Sequence, residues 1–176
     1  CGIHPGKEGV NALPYFDEID PAEIDLVLIT HFHLDHCASL PYLTEQTHFR
    51  GKIYMTHATK AVMRVLLLDY LRVRSSNDAG LYSEEDLENC LAKVDVLDFH
   101  QDMEHKGVKF RCYNAGHVLG AAMFLLDIDG TQVLYTGDYS MEEDRHLMAA
   151  EVPSVSPDLL LVESTYGVQV HSSRVQ

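Results

Sequence analysis

Basic residues are scarce in this chain. It carries 13 Lys and Arg against 27 Asp and Glu, a formal net charge of −14 with histidine neutral. Such a field argues against a protein that grips nucleic acid through its overall charge. It leaves room for a nucleic-acid enzyme that acts through a metal or through basic surfaces of partners. No apolar stretch reaches membrane-spanning length, and no signal-peptide pattern opens the sequence. The four cysteines, Cys1, Cys37, Cys90 and Cys112, contain no C-x-x-C pair. Their spacing suggests neither a zinc ribbon nor a disulfide scaffold, and scattered reduced thiols suit the cytosol or nucleus. Repeats and low-complexity tracts are missing, and so is an initiating Met. Cys1-Gly2-Ile3-His4-Pro5-Gly6 reads as interior sequence, so a fragment is expected.

What is present suits a folded domain. A length of 176 residues fits one domain or part of one, and 46% hydrophobic residues supply a core. Ile24 to Ile29 is a near-continuous apolar run that predicts a buried strand ending at Thr30. Lys52 to Met55 predicts a second short strand. Val62, Val65, Leu66, Tyr70 and Val73 recur at helical spacing, with Thr59 as candidate N-cap. Residues 74–80 are a loop by composition. Ser83 to Val94 predicts a helix that opens on a Ser83/Asp86 capping box and buries Leu87, Cys90, Leu91 and Val94.

The second half reads as β structure. Val108, Phe110 and Cys112 alternate with polar neighbours as a half-buried strand should. Residues 114–117 break that strand. Ala122 to Ile128 and Gln132 to Tyr135 flank Asp129-Gly130, a hairpin signal. Leu159 to Val162 predicts one more buried strand, ending at Glu163.

Metal-capable residues gather at these strand ends. His31-Phe32-His33-Leu34-Asp35-His36 packs three histidines and an aspartate behind the first strand. His31 and His33, two apart in an extended segment, leave on the same side and can reach one metal. Asp35 and His36, where the chain turns into a helix, face a second point. His117 and Asp138 follow two later strands and can complete and bridge the pair. Imidazole suits zinc, and a carboxylate balances charge. Paired metals favour hydrolysis of esters, amides or phosphodiesters. A polar loop of satisfied histidines is the bland alternative, and it leaves the strand-end placement of His117, Asp138 and Glu163 unexplained. Glu163 itself either orients a catalytic histidine or is an ordinary strand-end carboxylate. His146, close after Asp138, is a candidate support for a ligand. His4, His48, His57, His100, His105 and His171 read as surface or hydrogen-bonding residues. Lys60, Arg64, Arg72 and Arg74 read as a solvated helix face rather than an RNA track.

The hexapeptide resembles the H-x-H-x-D-H signature of the metallo-β-lactamase superfamily. Residues 116–122 (GHVLGAA), 135–139 (YTGDY) and 162–167 (VESTYG) resemble its β-CASP branch, which acts on nucleic acids. Residues 1–6, 20–25, 56–61 and 144–147 extend the similarity to endonucleases of eukaryotic cleavage and polyadenylation complexes, over almost the whole chain. Sister endonucleases of the Integrator complex share HFHLDH and GHVLGAAMF, but the CGIHPG opening fits the polyadenylation enzymes better.

The resemblance implies an α+β fold, the four-layer αββα sandwich, with residues 1–176 a partial domain. The opening strands, the β-CASP insert and the closing part would lie outside it. His31, His33 and His117 would bind a first Zn2+, Asp35 and His36 a second, and Asp138 would bridge them. The second site would be incomplete in this chain. Asp35, Asp138 and Glu163 would carry catalysis, Glu163 by pairing with a histidine that protonates the leaving group. An aspartate ahead of Cys1, that histidine and a later zinc ligand are expected elsewhere, so the fragment alone should be inactive. The implied substrate is pre-mRNA, the implied partners are other subunits of a cleavage and polyadenylation complex, and the implied location is the nucleus. A hydrolase of small thioesters, lactams or lactones is the enzymatic alternative. A metal-free scaffold is the other alternative, although all six ligands expected in this span are present. Manganese or iron would suit the same ligands.

Overall fold

The computed structural model describes residues 1–74 and 80–169. The loop expected over residues 74–80 lies almost wholly outside them, as does His171. Three short 3-10 turns, Gly9–Ala12, Phe16–Glu18 and Pro21–Glu23, lead into the first strand. Strand β1, Leu26–Leu28, is shorter than its apolar run and only half-buried. The enclosed residue is Ile29, whose N–H still pairs with the Tyr54 carbonyl at 3.0 Å. Helices α1, Leu34–Cys37, and α2, Leu40–Glu45, follow directly.

Strand β2, Lys52–Thr56, runs straight into helix α3, His57–Arg74. The expected cap is corrected here. Thr56, not Thr59, precedes the helix, and its hydroxyl accepts from the Thr59 N–H at 3.3 Å. Thr59 is instead buried, and both threonine hydroxyls donate to the Gly120 carbonyl, at 2.7 and 3.1 Å. Helix α4, Glu84–Ala92, carries the expected capping box, with Ser83 Oγ and Asp86 Oδ2 each accepting the other's N–H. It ends two residues earlier than its apolar period suggests. Val94 opens strand β3, Val94–Leu97, which periodicity missed because the strand's first buried residue falls in phase with the helix face.

Strands β1, β2 and β3 form a parallel sheet in that order. The helices bury Leu40, Leu43, Met63, Leu67, Leu87 and Leu91 against it. A second sheet holds strands β4, Met103–His105; β5, Val108–Asn114; β6, Ala122–Ile128; β7, Thr131–Tyr135; and β8, Leu159–Leu161. Its order is β4-β5-β6-β7-β8, antiparallel except for the β7–β8 pair. The expected turn joins β6 to β7, with Asp129 and Gly130 at φ 52° and 84°. Strand β4 was too short to read from alternation. Strand β8 reverses an expectation: its leucines are exposed, not buried, because among the described residues it is an edge strand paired only with β7.

Between the sheets lie Tyr54 and Leu97 on one side and Phe110, Cys112 and Phe124 on the other. Alternation along β5 therefore works as predicted, with Phe110 and Cys112 pointing inward. The result is an α+β sandwich of a helical layer and two sheets. Among the described residues no helix is long and apolar enough to cross a membrane. Phe124 is fully buried at the sheet-to-sheet contact. Phe124→Ala should cost about 3–5 kcal/mol of stability in urea unfolding. A loss below about 1 kcal/mol would show that this contact does not hold the layers together.

Candidate metal centre

The ends of three strands meet at one rim. β1 delivers Thr30 and the hexapeptide, β5 delivers the loop to His117, and β7 delivers Gly137 and Asp138. The Ala122 N–H, at the start of β6, donates to the Thr30 carbonyl at 2.9 Å and ties the two sheets together there. His33 precedes α1 in an extended conformation, which turns Asp35 and His36 onto the first helical turn. His117 takes a left-handed backbone, φ 56°, uncommon for a residue with a side chain.

The side chains converge accordingly. His33 Nδ1 lies 3.1 Å from His31 Nε2 and 3.2 Å from His117 Nε2. Asp138 Oδ2 is 3.8 Å from His31 Nε2 and 3.7 Å from His117 Nε2. Its other oxygen, Oδ1, is 3.4 Å from His36 Nε2, which in turn is 3.4 Å from Asp35 Oδ2. The donor atoms of His31, His33, His117 and Asp138 all fall within 4.8 Å of one another. Asp138 thus stands between two groups, His31/His33/His117 and Asp35/His36.

Burial shifts two of these rings, His31 and His117, toward the neutral form. Burial pushes the His31 pKa down to about 3, and the rings of His36, His33 and His117 push it the same way. Burial likewise lowers that of His117, with His33 adding to it, while Asp138 and Glu163 oppose. Thr30 Oγ1, 3.0 Å from His31 Nδ1, engages that nitrogen and leaves Nε2 for the centre. Sequence reasoning passed over Thr30, whose only signal was its place between the strand and the first histidine.

Two close backbone approaches set the positions. A Cβ on Gly2 would fall 1.8 Å from the Asp35 carbonyl oxygen, so the chain's first residues lie against the peptide carrying Asp35 and His36. A Cβ on Gly137, at φ 56°, would lie 2.8 Å from Thr30 Cβ. Only glycine lets Asp138 come this near to His31.

The donor set fits a metal ion. His33 Nδ1 faces two Nε2 atoms, so protons can pair it fully with only one of them. A cation binds all three lone pairs at once. A tetrahedral ion with bonds of about 2.0–2.1 Å to nitrogen spaces its donors about 3.3–3.4 Å apart. The nitrogen spacings of 3.1 and 3.2 Å lie close to that edge length.

The family whose sequence pattern is described as Metallo-beta-lactamase superfamily domain matches residues 1–162. The chain belongs to that superfamily. Among its relatives, the cleavage and polyadenylation specificity factor subunit 3-I of Arabidopsis thaliana is 60% identical over 175 residues, covering 99% of this chain and 25% of that protein. The cleavage and polyadenylation specificity factor 73 of Drosophila melanogaster is 54% identical, over 99% of this chain and 26% of that protein. Endoribonuclease YSH1 of Saccharomyces cerevisiae is 49% identical, over 99% and 24%. The chain spans about a quarter of the length of these curated relatives. Superfamily membership and the His31/His33/His117/Asp138 group agree on a metal cofactor.

The remaining candidates separate. Glu163 is half-buried and stands outside the four-residue group. Its Oε2 accepts from the Thr165 N–H at 2.7 Å, and hydrogen bonding from the Thr165 side chain, then from its backbone, holds the carboxyl below the usual range. His146 is exposed on the loop after Asp138. Lys60 donates to the Val94 carbonyl, Arg64 pairs with Glu88 and Arg72 with Glu84, so these cations are engaged within the helical layer and the sheet beneath it.

Two measurements check the centre. Native His31 stays neutral from pH 6.5 down to about 3, while the unfolded chain takes up its proton near 6.5. The unfolded state therefore binds more protons in that window. Stability of the metal-free protein should fall with pH below 6.5, by up to about 1.4 kcal/mol per unit from this group, and His31 adds no slope above it. Urea unfolding at pH 7 and pH 5 giving equal stability would contradict this. Gly137→Ala should displace Asp138 and weaken metal binding by about tenfold or more in a chelator competition. Unchanged affinity would mean that Asp138 is not a ligand.

Proposed function

We propose that this chain is part of a zinc-dependent RNA endonuclease that hydrolyses a phosphodiester in pre-mRNA 3′-end cleavage before polyadenylation. The observation that carries the reading is Asp138, whose two oxygens face two separate histidine groups at 3.4 to 3.8 Å. A bridging carboxylate between two metal positions has that arrangement. The names of the relatives, a polyadenylation specificity factor and an endoribonuclease, supply the substrate class.

His31 Nε2, His33 Nδ1, His117 Nε2 and Asp138 Oδ2 would hold the first zinc. Asp35, His36 and Asp138 Oδ1 would hold the second, with a further ligand from outside residues 1–176. Bound there, the two ions supply Lewis acidity toward water and a phosphoryl group. The protein's own residues prepare the place. Burial keeps His31 neutral, Thr30 leaves its Nε2 free, and Asp138 sets the separation of the two groups. Glu163, ionised by its bond to Thr165, would orient a general-acid histidine supplied from elsewhere in the whole protein.

Residues 1–176 form one partial catalytic domain in this reading, inactive when alone. With a net charge of −14, the domain relies on other parts of the whole protein, or on other subunits of a cleavage and polyadenylation complex, for basic contacts to RNA. The nucleus is where such a complex would work. The full-length protein should carry about two zinc ions and cut RNA. Asp138→Asn should lower cleavage by about a hundredfold or more, with the fold intact by circular dichroism. Preference for a thioester over RNA would overturn the substrate. A folded protein without bound metal would overturn the mechanism.

A further inference from the structure

Two ligands arrive on loops that grip each other away from the metal centre. His117 sits in the loop after β5, and Asp138 opens the long segment after β7. Two backbone bonds join them, and a third braces the Asp138 segment within itself. Ser140 N–H donates to the Ala115 carbonyl at 2.9 Å, and Ala150 N–H to the Ser140 carbonyl at 2.7 Å. Glu151 N–H donates to the Asn114 carbonyl at 2.9 Å.

Asn114 and Glu151 close this seam with their side chains. The Asn114 N–H donates to Glu151 Oε2 at 2.7 Å. Asn114 Nδ2 donates to the Ala149 carbonyl at 3.1 Å, and its Oδ1 accepts from the Gly116 N–H at 3.1 Å. Every polar atom of Asn114 is therefore engaged, one of them on the residue immediately before His117. The Glu151 carboxylate is in turn held by His100 Nε2, at 2.9 and 3.0 Å from its two oxygens. Neither residue belongs to the metal-ligand group. Nothing local obliges His117 to keep its left-handed backbone, so its surroundings must.

We propose that Asn114 and Glu151 are positioning residues that fix the His117 loop against the Asp138 segment and so set the affinity of the metal centre. The inference rests on the metal-binding reading above, not on the identity of the substrate. Asn114 acts along the chain, through Gly116, and Glu151 acts by clamping Asn114 from the Asp138 side. His100 holds the clamp shut from the far end. A ligand pair drawn from two loops gains affinity when the loops are held in register before the ion arrives, and such supporting bonds are worth about 10–100-fold in metal binding.

The test uses the full-length protein. Zinc affinity is read by chelator competition, and amide hydrogen exchange is read on the metal-free form. Asn114→Ala and Glu151→Ala should each weaken zinc binding by about 10–100-fold. Each should also speed exchange at residues 115–118 and 140, with the amides of β2 at wild-type rates. A merely structural role would instead raise exchange throughout the protein and leave the zinc affinity of the folded variant as it was. Glu151→Gln keeps one acceptor oxygen, so it should recover part of the affinity lost in the alanine variant. Should either alanine variant fail to fold, Glu151→Gln and His100→Gln decide by the same two readings, with a smaller loss expected in each. Folded variants with wild-type zinc affinity overturn the brace alone. A folded wild-type protein with no affinity for zinc overturns both the brace and the proposed function.

Discussion

The hydrogen bond from the Ala122 N–H to the Thr30 carbonyl, 2.9 Å long, joins the two sheets at the rim where the ligands emerge. Everything at the site is referred to it. Thr30 precedes His31, so the bond places the hexapeptide. Ala122 follows the His117 loop, so the same bond places that loop. The Gly120 carbonyl adds a second tie two residues earlier, where it receives the hydroxyls of Thr56 and Thr59. Ligands far apart in sequence thereby share one frame, built from backbone groups that could not be left unpaired inside the protein.

That frame explains why so much of the site was legible and some of it was not. A candidate ligand gives a chemical signal in its own residue type. His31, His33, Asp35, His36, His117 and Asp138 stood out because histidine and aspartate are unusual behind apolar strands, and all six now lie in one neighbourhood. The supports give no such signal. Thr30, Asn114 and Glu151 are ordinary residues made important by whichever backbone passes them, and only coordinates reveal that. Gly2 and Gly137 belong with them, since their role is the room a missing Cβ leaves. The hairpin at Asp129-Gly130 and the capping box at Ser83 were readable because their causes are local. β3 hid behind a helix period, and Thr59 looked like a cap because its burial under the Gly120 carbonyl is a tertiary fact. Strand β8 was misjudged for a related reason. An apolar run predicts that something covers it, and no described element does.

Crowding three imidazoles around buried His31 carries a cost that bears on folding as well as chemistry. Their mutual influence and their burial hold His31 far below the usual histidine range, so the native state resists taking up the proton that would relieve it. A neutral ring with a free Nε2 is also what a metal requires. The feature that destabilises the empty site in acid is the one that readies it for a cation at neutral pH. Metal binding and folding are coupled here through the same atoms.

The acidic balance of the chain follows from the same arrangement. Lys60, Arg64 and Arg72 of the helical layer are engaged with the Val94 carbonyl, Glu88 and Glu84, and Arg111 pairs with Asp102 at one edge of the second sheet. With 13 basic against 27 acidic residues, the chain has no net positive charge to attract a polyanion. In the proposed function, a domain of this charge would meet a phosphodiester through cations held at a point, by His31, His33, His117 and Asp138, rather than through a basic surface. On that proposal, selection of where to act would come from what holds the substrate, while this domain would contribute the place where it is attacked. The physical division is between recognition spread over a large surface and chemistry confined to a few ångströms of strand end. The second of these is what the proposed function assigns to residues 1–176.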